Sequence, residues 1–156
     1  MTAAARSMTA PALQPTILID AREKMPLRFS ERVGTEICTL STGDYSLAGA
    51  TNRVAIERKS LSDLVACCGP ERERFLDCCA RLKEYEFRAV VVEASIDDVF
   101  AHAYRSRLLP QCVIGTVVAL HVDHNVPTIW AGDTRNAAQI VERLLTRVWK
   151  KMQATQ

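Results

Sequence analysis

The sequence carries almost no excess of charge. Lys and Arg number 20 against 18 Asp and Glu over 156 residues, a formal net charge of +2. Bulk charge therefore announces no nucleic-acid partner, and any such argument must rest on where the charges sit. Long apolar runs are also missing. The longest nearly uncharged stretch, Leu108 to Val122, contains Pro110, Gln111, Gly115, Thr116 and His121. It is too short to span a bilayer and reads as a buried helix, so no membrane partner is expected. Met1 to Pro15 lacks the apolar segment of a secretion signal and reads as a disordered tail, which points to a cytoplasmic chain, nucleoid-associated if bacterial. After residue 15 there is no repeat, linker or low-complexity run. With 48% hydrophobic and 24% charged residues the composition is that of one soluble domain, which excludes disorder throughout, a collagen-like chain or a coiled-coil rod.

Cysteine, by contrast, is plentiful, with six residues. Cys67-Cys68 and Cys78-Cys79 are adjacent pairs, whereas zinc ligands are usually two to four residues apart. Both pairs fall in apolar-periodic segments, where a reduced Cys packs as a small hydrophobe, and no secretion signal implies an oxidising compartment. A redox or zinc protein is thereby the least favoured reading. His121 and His124 close an apolar helix, a place where cations suit the helix dipole.

Thr16 to Asp20 reads as a buried strand and Ala21 to Pro26 as a charged loop. Phe29 to Val33 suggests a helical turn stopped by Gly34, and Glu36 to Leu40 an extended segment. A turn at Thr42-Gly43 feeds a strand over Asp44 to Leu47; Gly49 to Asn52 turns the chain into a return strand over Arg53 to Lys59, an antiparallel hairpin. Ser60-Leu61-Ser62-Asp63 has the form of a capping box opening a helix to Cys68. Pro70 suits the first turn of the next helix, whose apolar stripe is Phe75, Cys78, Cys79 and Leu82. Phe87 to Glu93 is a buried strand, and Ser95 to Asp98 is a second capping box for a short helix to about His102. Pro110 opens the apolar helix and Val126 to Trp130 is a strand. Asp133 caps a final helix to Lys151 with Ile140, Leu144, Leu145 and Val148 on its buried face. The order predicts an α/β layered domain with a mixed sheet over residues 16–151, between tails at 1–15 and 152–156.

Within this frame one constellation carries chemistry. Glu57 and Lys59 lie two apart on a strand and so share a face, which the hairpin brings within reach of Asp44. Two converging carboxylates repel unless a cation sits between them, and hard oxygen ligands favour Mg²⁺ or Mn²⁺. Such a metal lowers the pKa of bound water and neutralises charge on a cleaved phosphate, with Lys59 orienting the water or balancing that charge.

The wider string is more specific. Gly43-Asp44-Tyr45, then Ile56-Glu57-Arg58-Lys59-Ser60 and Asp63-Leu64, resembles the active-site signature of the XPF-type structure-specific endonucleases. Their fold is the restriction-endonuclease-like one of the PD-(D/E)XK superfamily. Ile19-Asp20-Ala21-Arg22-Glu23 resembles that family's first motif, and Arg72-Glu73-Arg74-Phe75 with Arg81-Leu82 its Arg-bearing helix. The resemblance implies a three-layer fold, a mixed central β-sheet flanked by α-helices. It implies a Mg²⁺- or Mn²⁺-dependent endonuclease hydrolysing DNA phosphodiester bonds, on branched or flapped DNA in repair, recombination or phage replication. Carried over by position, Asp44 and Glu57 are implied metal ligands with the Arg58 carbonyl as third, and Lys59 the catalytic lysine. Asp20 is placed next to the metal or one water away, Arg22 and Glu23 along the same cleft, Asp63 in support of the site, and Arg72 and Arg74 on substrate phosphates.

Each assignment has a plainer rival. Asp63 can simply cap its helix; the Arg58 side chain points away from Glu57 and can be structural. Arg72 and Arg74 alternate with Glu71 and Glu73, the pattern of a solvated helix face, and Tyr45 suits hairpin packing. Longer members of the family carry a tandem helix-hairpin-helix module after the nuclease, and the expected final helix leaves no room for one here. The modest charge leaves a role for a homodimer or an accessory subunit in supplying affinity. From another class, the alternative is a catalytically idle DNA-binding or assembly module, against which the intact Asp-Glu-x-Lys set speaks.

Overall fold

The computed structural model describes residues 13–155; the expected N-terminal tail lies, up to residue 12, outside them. Six strands form one mixed sheet in the order β2-β1-β3-β4-β5-β6: β1 (Thr16–Asp20), β2 (Gly34–Cys38), β3 (Tyr45–Leu47), β4 (Val54–Lys59), β5 (Phe87–Val92) and β6 (Thr128–Trp130). Five helices accompany them: α1 (Leu61–Cys67), α2 (Arg72–Leu82), α3 (Ile96–Phe100), α4 (Pro110–His124) and α5 (Thr134–Gln153). β3 runs antiparallel to both β1 and β4, pairing Tyr45 with Ile19 and with Ile56, while β2, β5 and β6 pair parallel to their neighbours. The expected hairpin is β3–β4. Ala89 to Val92 are fully buried, as a central strand covered on both faces requires.

The period of two along the strands separates two cores. On one face Ala55, Val90 and Val92 pack with Leu64, Phe75, Cys79, Leu82, Val113 and Leu120 from α1, α2 and α4. On the other, Ile17, Ile19, Tyr45, Leu47, Ile56 and Val91 pack with Ala137, Val141 and Leu145 of α5 and with Leu27 and Val33 of the loop after β1. Helices therefore cover the sheet on both sides, in three layers.

Local signals terminate most elements where expected. Ser60 caps α1 by accepting from the Asp63 amide at 3.1 Å, although the return bond of a full capping box is not among those of the described residues. Ser95 and Asp98 form both halves of theirs on α3, which ends at Phe100 rather than His102. Asp133 caps α5, which continues to Gln153, two residues beyond the expected end. Pro70 stays in the turn before α2, because Glu71 is the N-cap. Phe29 to Val33 makes only a turn ahead of β2.

One larger difference concerns α4. Its apolar sequence reads as a buried helix, yet only Val113, Thr116 and Leu120 are buried, and Val118 and Val122 are 54% and 72% exposed. The helix lies on the outside of its layer, so only one stripe can reach the sheet, while the apolar residues are spread around it. Among the described residues no helix is long and apolar enough to cross a membrane.

Candidate active site: two carboxylates and a lysine on one face of the sheet

Asp44 stands at the head of β3 and is held through three groups. Its N–H donates to the Ile56 carbonyl at 2.8 Å, its carbonyl accepts from the Asp20 N–H at 2.9 Å, and its Oδ2 accepts from the Arg58 N–H at 2.8 Å. Gly43 makes this approach possible. Its φ is +78°, and a Cβ there would stand 3.0 Å from the Ile56 carbonyl oxygen. Glu57 and Lys59 project to the same side from β4, with Lys59 Nζ 2.8 Å from Glu57 Oε1. The Lys59 ammonium lies 5.6 Å from the Phe75 ring centre of α2, and the Cys78 thiol is 3.8 Å from Glu57 Oε2.

The electrostatics follow from this crowding. Burial, then the negative charge of Glu57, push the Asp44 carboxyl up to about 7 against the restraining Arg58 N–H bond. For Lys59 burial works against the charge, but the Glu57 carboxylate outweighs it and the ammonium is held above its ordinary range. Asp20, 3% exposed, closes β1 beside this group. Burial opposes its ionisation, yet the Arg22 guanidinium at 2.7 Å and the Leu40 N–H at 2.9 Å hold its carboxyl below the usual range.

The remaining candidate residues divide. Arg58, between Glu57 and Lys59, points through the opposite face. There its guanidinium pairs with Glu93 and, at 2.9 Å, with Glu23, and donates to the Met25 carbonyl. Glu23 is turned into this network, where it also accepts from the Tyr45 hydroxyl at 2.9 Å. Arg22 is 69% exposed, and besides its bond to Asp20 its guanidinium donates to the Leu40 carbonyl at 2.8 Å. Asp63 is exposed, and its side chain has no hydrogen bond among the described residues. Arg72 donates to the Thr116 hydroxyl of α4, whereas Arg74 is exposed with no ion-pair partner among the described residues.

Sequence reasoning missed Glu93, Leu40 and Thr116. Each is a partner supplied from 20 to 44 residues away, and no local period marks such a partner. Among the described residues no three His, Cys, Asp or Glu side chains converge as a metal cluster.

Comparison with known proteins bears on this arrangement. The model of the ERCC4 domain matches residues 19–144. The 3′-flap repair endonuclease Xpf of Saccharolobus solfataricus is 29% identical over 106 residues, 67% of this chain and 42% of that protein. The chain thus spans less than half the length of that relative. XPF from Aeropyrum pernix in complex with DNA superposes with a TM-score of 0.67 at 24% identity, over 88% of this chain and 66% of that one. A second structure of XPF from Aeropyrum pernix gives 0.66 at 24% identity, over 84% and 60%. The family model covers Asp20, Asp44, Glu57 and Lys59 alike, and the chain belongs to the ERCC4-domain family.

Proposed function

We propose that this chain is a divalent-metal-dependent endonuclease that hydrolyses phosphodiester bonds in DNA, with branched or flapped DNA as substrate. The observation that carries the reading is the shared face of Asp44, Glu57 and Lys59, two crowded carboxylates beside a fixed cation. The description of the Saccharolobus relative as a 3′-flap repair endonuclease supports the choice of substrate.

The donor set fits Mg²⁺ or Mn²⁺. Both oxygen donors are hard, and a cation between the carboxylates would offset both the burial and the Glu57 charge that raise the Asp44 pKa. Asp44 and Glu57 would hold the ion, with the Arg58 carbonyl as a further oxygen. When bound, the metal supplies an acidified water and neutralises charge on the phosphate. The chain's own groups do the rest. Lys59, kept charged by Glu57, would stabilise charge developing on the scissile phosphate. The Arg58 N–H keeps one Asp44 oxygen engaged, so the carboxylate cannot rotate freely. Asp20 anchors Arg22, which would offer its exposed edge to a neighbouring phosphate.

The test uses labelled flap, fork, junction and plain duplex DNA with Mg²⁺, Mn²⁺ or EDTA. Cleavage is expected with either metal and none in EDTA, with preference for a branched substrate. Asp44→Asn and Glu57→Gln should each abolish it. Lys59→Ala should lose turnover while keeping most DNA binding, since its charge acts on the reacting phosphate. Cleavage by both carboxamide variants at wild-type rate would overturn the metal-site assignment.

A further inference from the structure

Behind the sheet from Glu57 and Lys59, between the loop after β1 and helix α5, runs an open groove of about 2330 Å³. Its charge is lopsided. It is lined by nine of the chain's 20 Lys and Arg but only four of its 18 Asp and Glu, so the remainder of the chain is net negative. Nine cations against four acids leave the lining with a net charge of +5, and three of the acids are already engaged. Glu23 and Glu93 are half-buried and taken up by Arg58, and Glu142 accepts from the Ser30 N–H and hydroxyl at 2.7 and 2.6 Å. Asp63 alone faces the groove without such a partner among the described residues.

The cations are the reverse. Lys24, Arg28 and Arg32 on the loop bank are exposed and in no ion pair among the described residues. The same holds for Arg135, Arg143, Arg147 and Lys150 on the α5 bank. The α5 set recurs at helical spacing along one side, so from Arg135 to Lys150 it extends about 22 Å at about 1.5 Å per residue. One strand of duplex DNA carries about six phosphates over that length. The lining also includes Ser60, the residue after Lys59, and Arg22, the partner of Asp20. The apolar floor, with Phe29 and Trp149, offers rings beside the charges.

We infer that this groove is a second nucleic-acid site, which holds the phosphate backbone of a DNA arm leading away from the cleaved bond. A row of fixed, unpaired cations contiguous with a phosphodiesterase site matches a continuous polyanion better than a peptide, whose acids come at irregular spacing. Single strand and duplex share this backbone chemistry, and binding to each form tells which of them the groove holds. The inference rests on the reading of the chain as a DNA-acting nuclease, and it adds where the substrate runs.

The test is binding by fluorescence anisotropy in EDTA, where no cleavage occurs, to one labelled oligonucleotide as single strand and as duplex. Arg143→Ala/Arg147→Ala should weaken binding about 20- to 60-fold at about 0.1 M salt and flatten the slope of log affinity against log salt by about two. Arg135→Ala/Lys150→Ala, at the two ends of the α5 row, should do the same. Arg105→Ala/Arg107→Ala removes equal charge elsewhere and should leave both quantities unchanged. These residues are exposed, so melting temperatures should match wild type. Unchanged affinity and slope in both groove variants, or equal losses in the control, overturn the inference. Groove-dependent binding by a protein that cleaves nothing with any metal leaves the groove standing and defeats the nuclease reading. Cleavage with groove-independent binding does the opposite.

Discussion

At Asp44 burial and the charge of Glu57 act together, and the carboxyl is pushed from 3.8 up to about 7. A raised acid binds its proton more tightly folded than unfolded. Its contribution to stability is therefore full below about pH 4 and is lost as pH rises through about 7. In the absence of divalent metal, Asp44→Asn should melt above wild type at about pH 8 and lose that advantage on acidification to about pH 4. Asparagine retains an oxygen for the Arg58 N–H, so the loop geometry survives. Added Mg²⁺ should raise the melting temperature of wild type and not of the variant. Glu57→Gln differs, because it leaves the Lys59 ammonium a neutral amide oxygen in place of the carboxylate it pairs with at 2.8 Å, and losing that ion pair offsets the gain. Calorimetry across that pH range decides, and equal melting at both extremes would remove the carboxylate strain from the account.

Arg58 works between elements. It stands in the motif among residues assigned to chemistry, yet its side chain joins β4 to Glu93 after β5 and to Glu23 and Met25 in the loop after β1. The side chains of Arg58, Glu23 and Glu93 are 15%, 14% and 9% exposed, so Arg58→Ala strands two carboxylates with little water. A loss of about 3–5 kcal/mol in denaturant unfolding is expected, with Arg58→Lys in between because it keeps the charge without the planar fork. Wild-type stability of Arg58→Ala would contradict the network. In the opposite layer, α1 and α2 bring Cys67, Cys78 and Cys79 close to Lys59 and Glu57, and burial raises the three thiols to about 11, 11 and 12. At about pH 8 iodoacetamide should therefore modify exposed Cys112 first and reach buried Cys67 and Cys79 only on unfolding, as mass spectrometry can follow. Early labelling of Cys67 or Cys79 would show that the layer opens readily.

At the scale of the whole molecule, the proposed function turns on which cations would meet DNA. Sequence pairs Arg72 with Arg74 as phosphate contacts, but the fold treats them differently. Arg72 binds the buried Thr116 of α4, so Arg72→Ala should cost about 1 kcal/mol of stability. Arg74→Ala should leave melting unchanged and flatten the salt slope of DNA binding by about one; identical behaviour of the two variants would contradict this division. Much of this site was legible beforehand, and for a reason. Period two alone places Glu57 and Lys59 together and turns Arg58 away. Gly43 marks the backbone turn that brings Asp44 to Ile56, and Ser60, Ser95, Asp133 and Pro110 mark where helices begin. Such signals act within a few residues, where sterics and hydrogen bonding leave few choices, so the sequence by itself determined most elements and the facing of the β4 residues, though not that Glu23 turns to the far face with Arg58. It could not determine which elements become neighbours. That Arg58 meets two acids 35 residues away on either side, that α4 leaves Val118 and Val122 exposed, and that cations of the β1–β2 loop and α5 line one groove were decided by the tertiary structure. A residue's period fixes its side of its own axis, whereas its partner depends on how the strands cross over and which layer each helix closes.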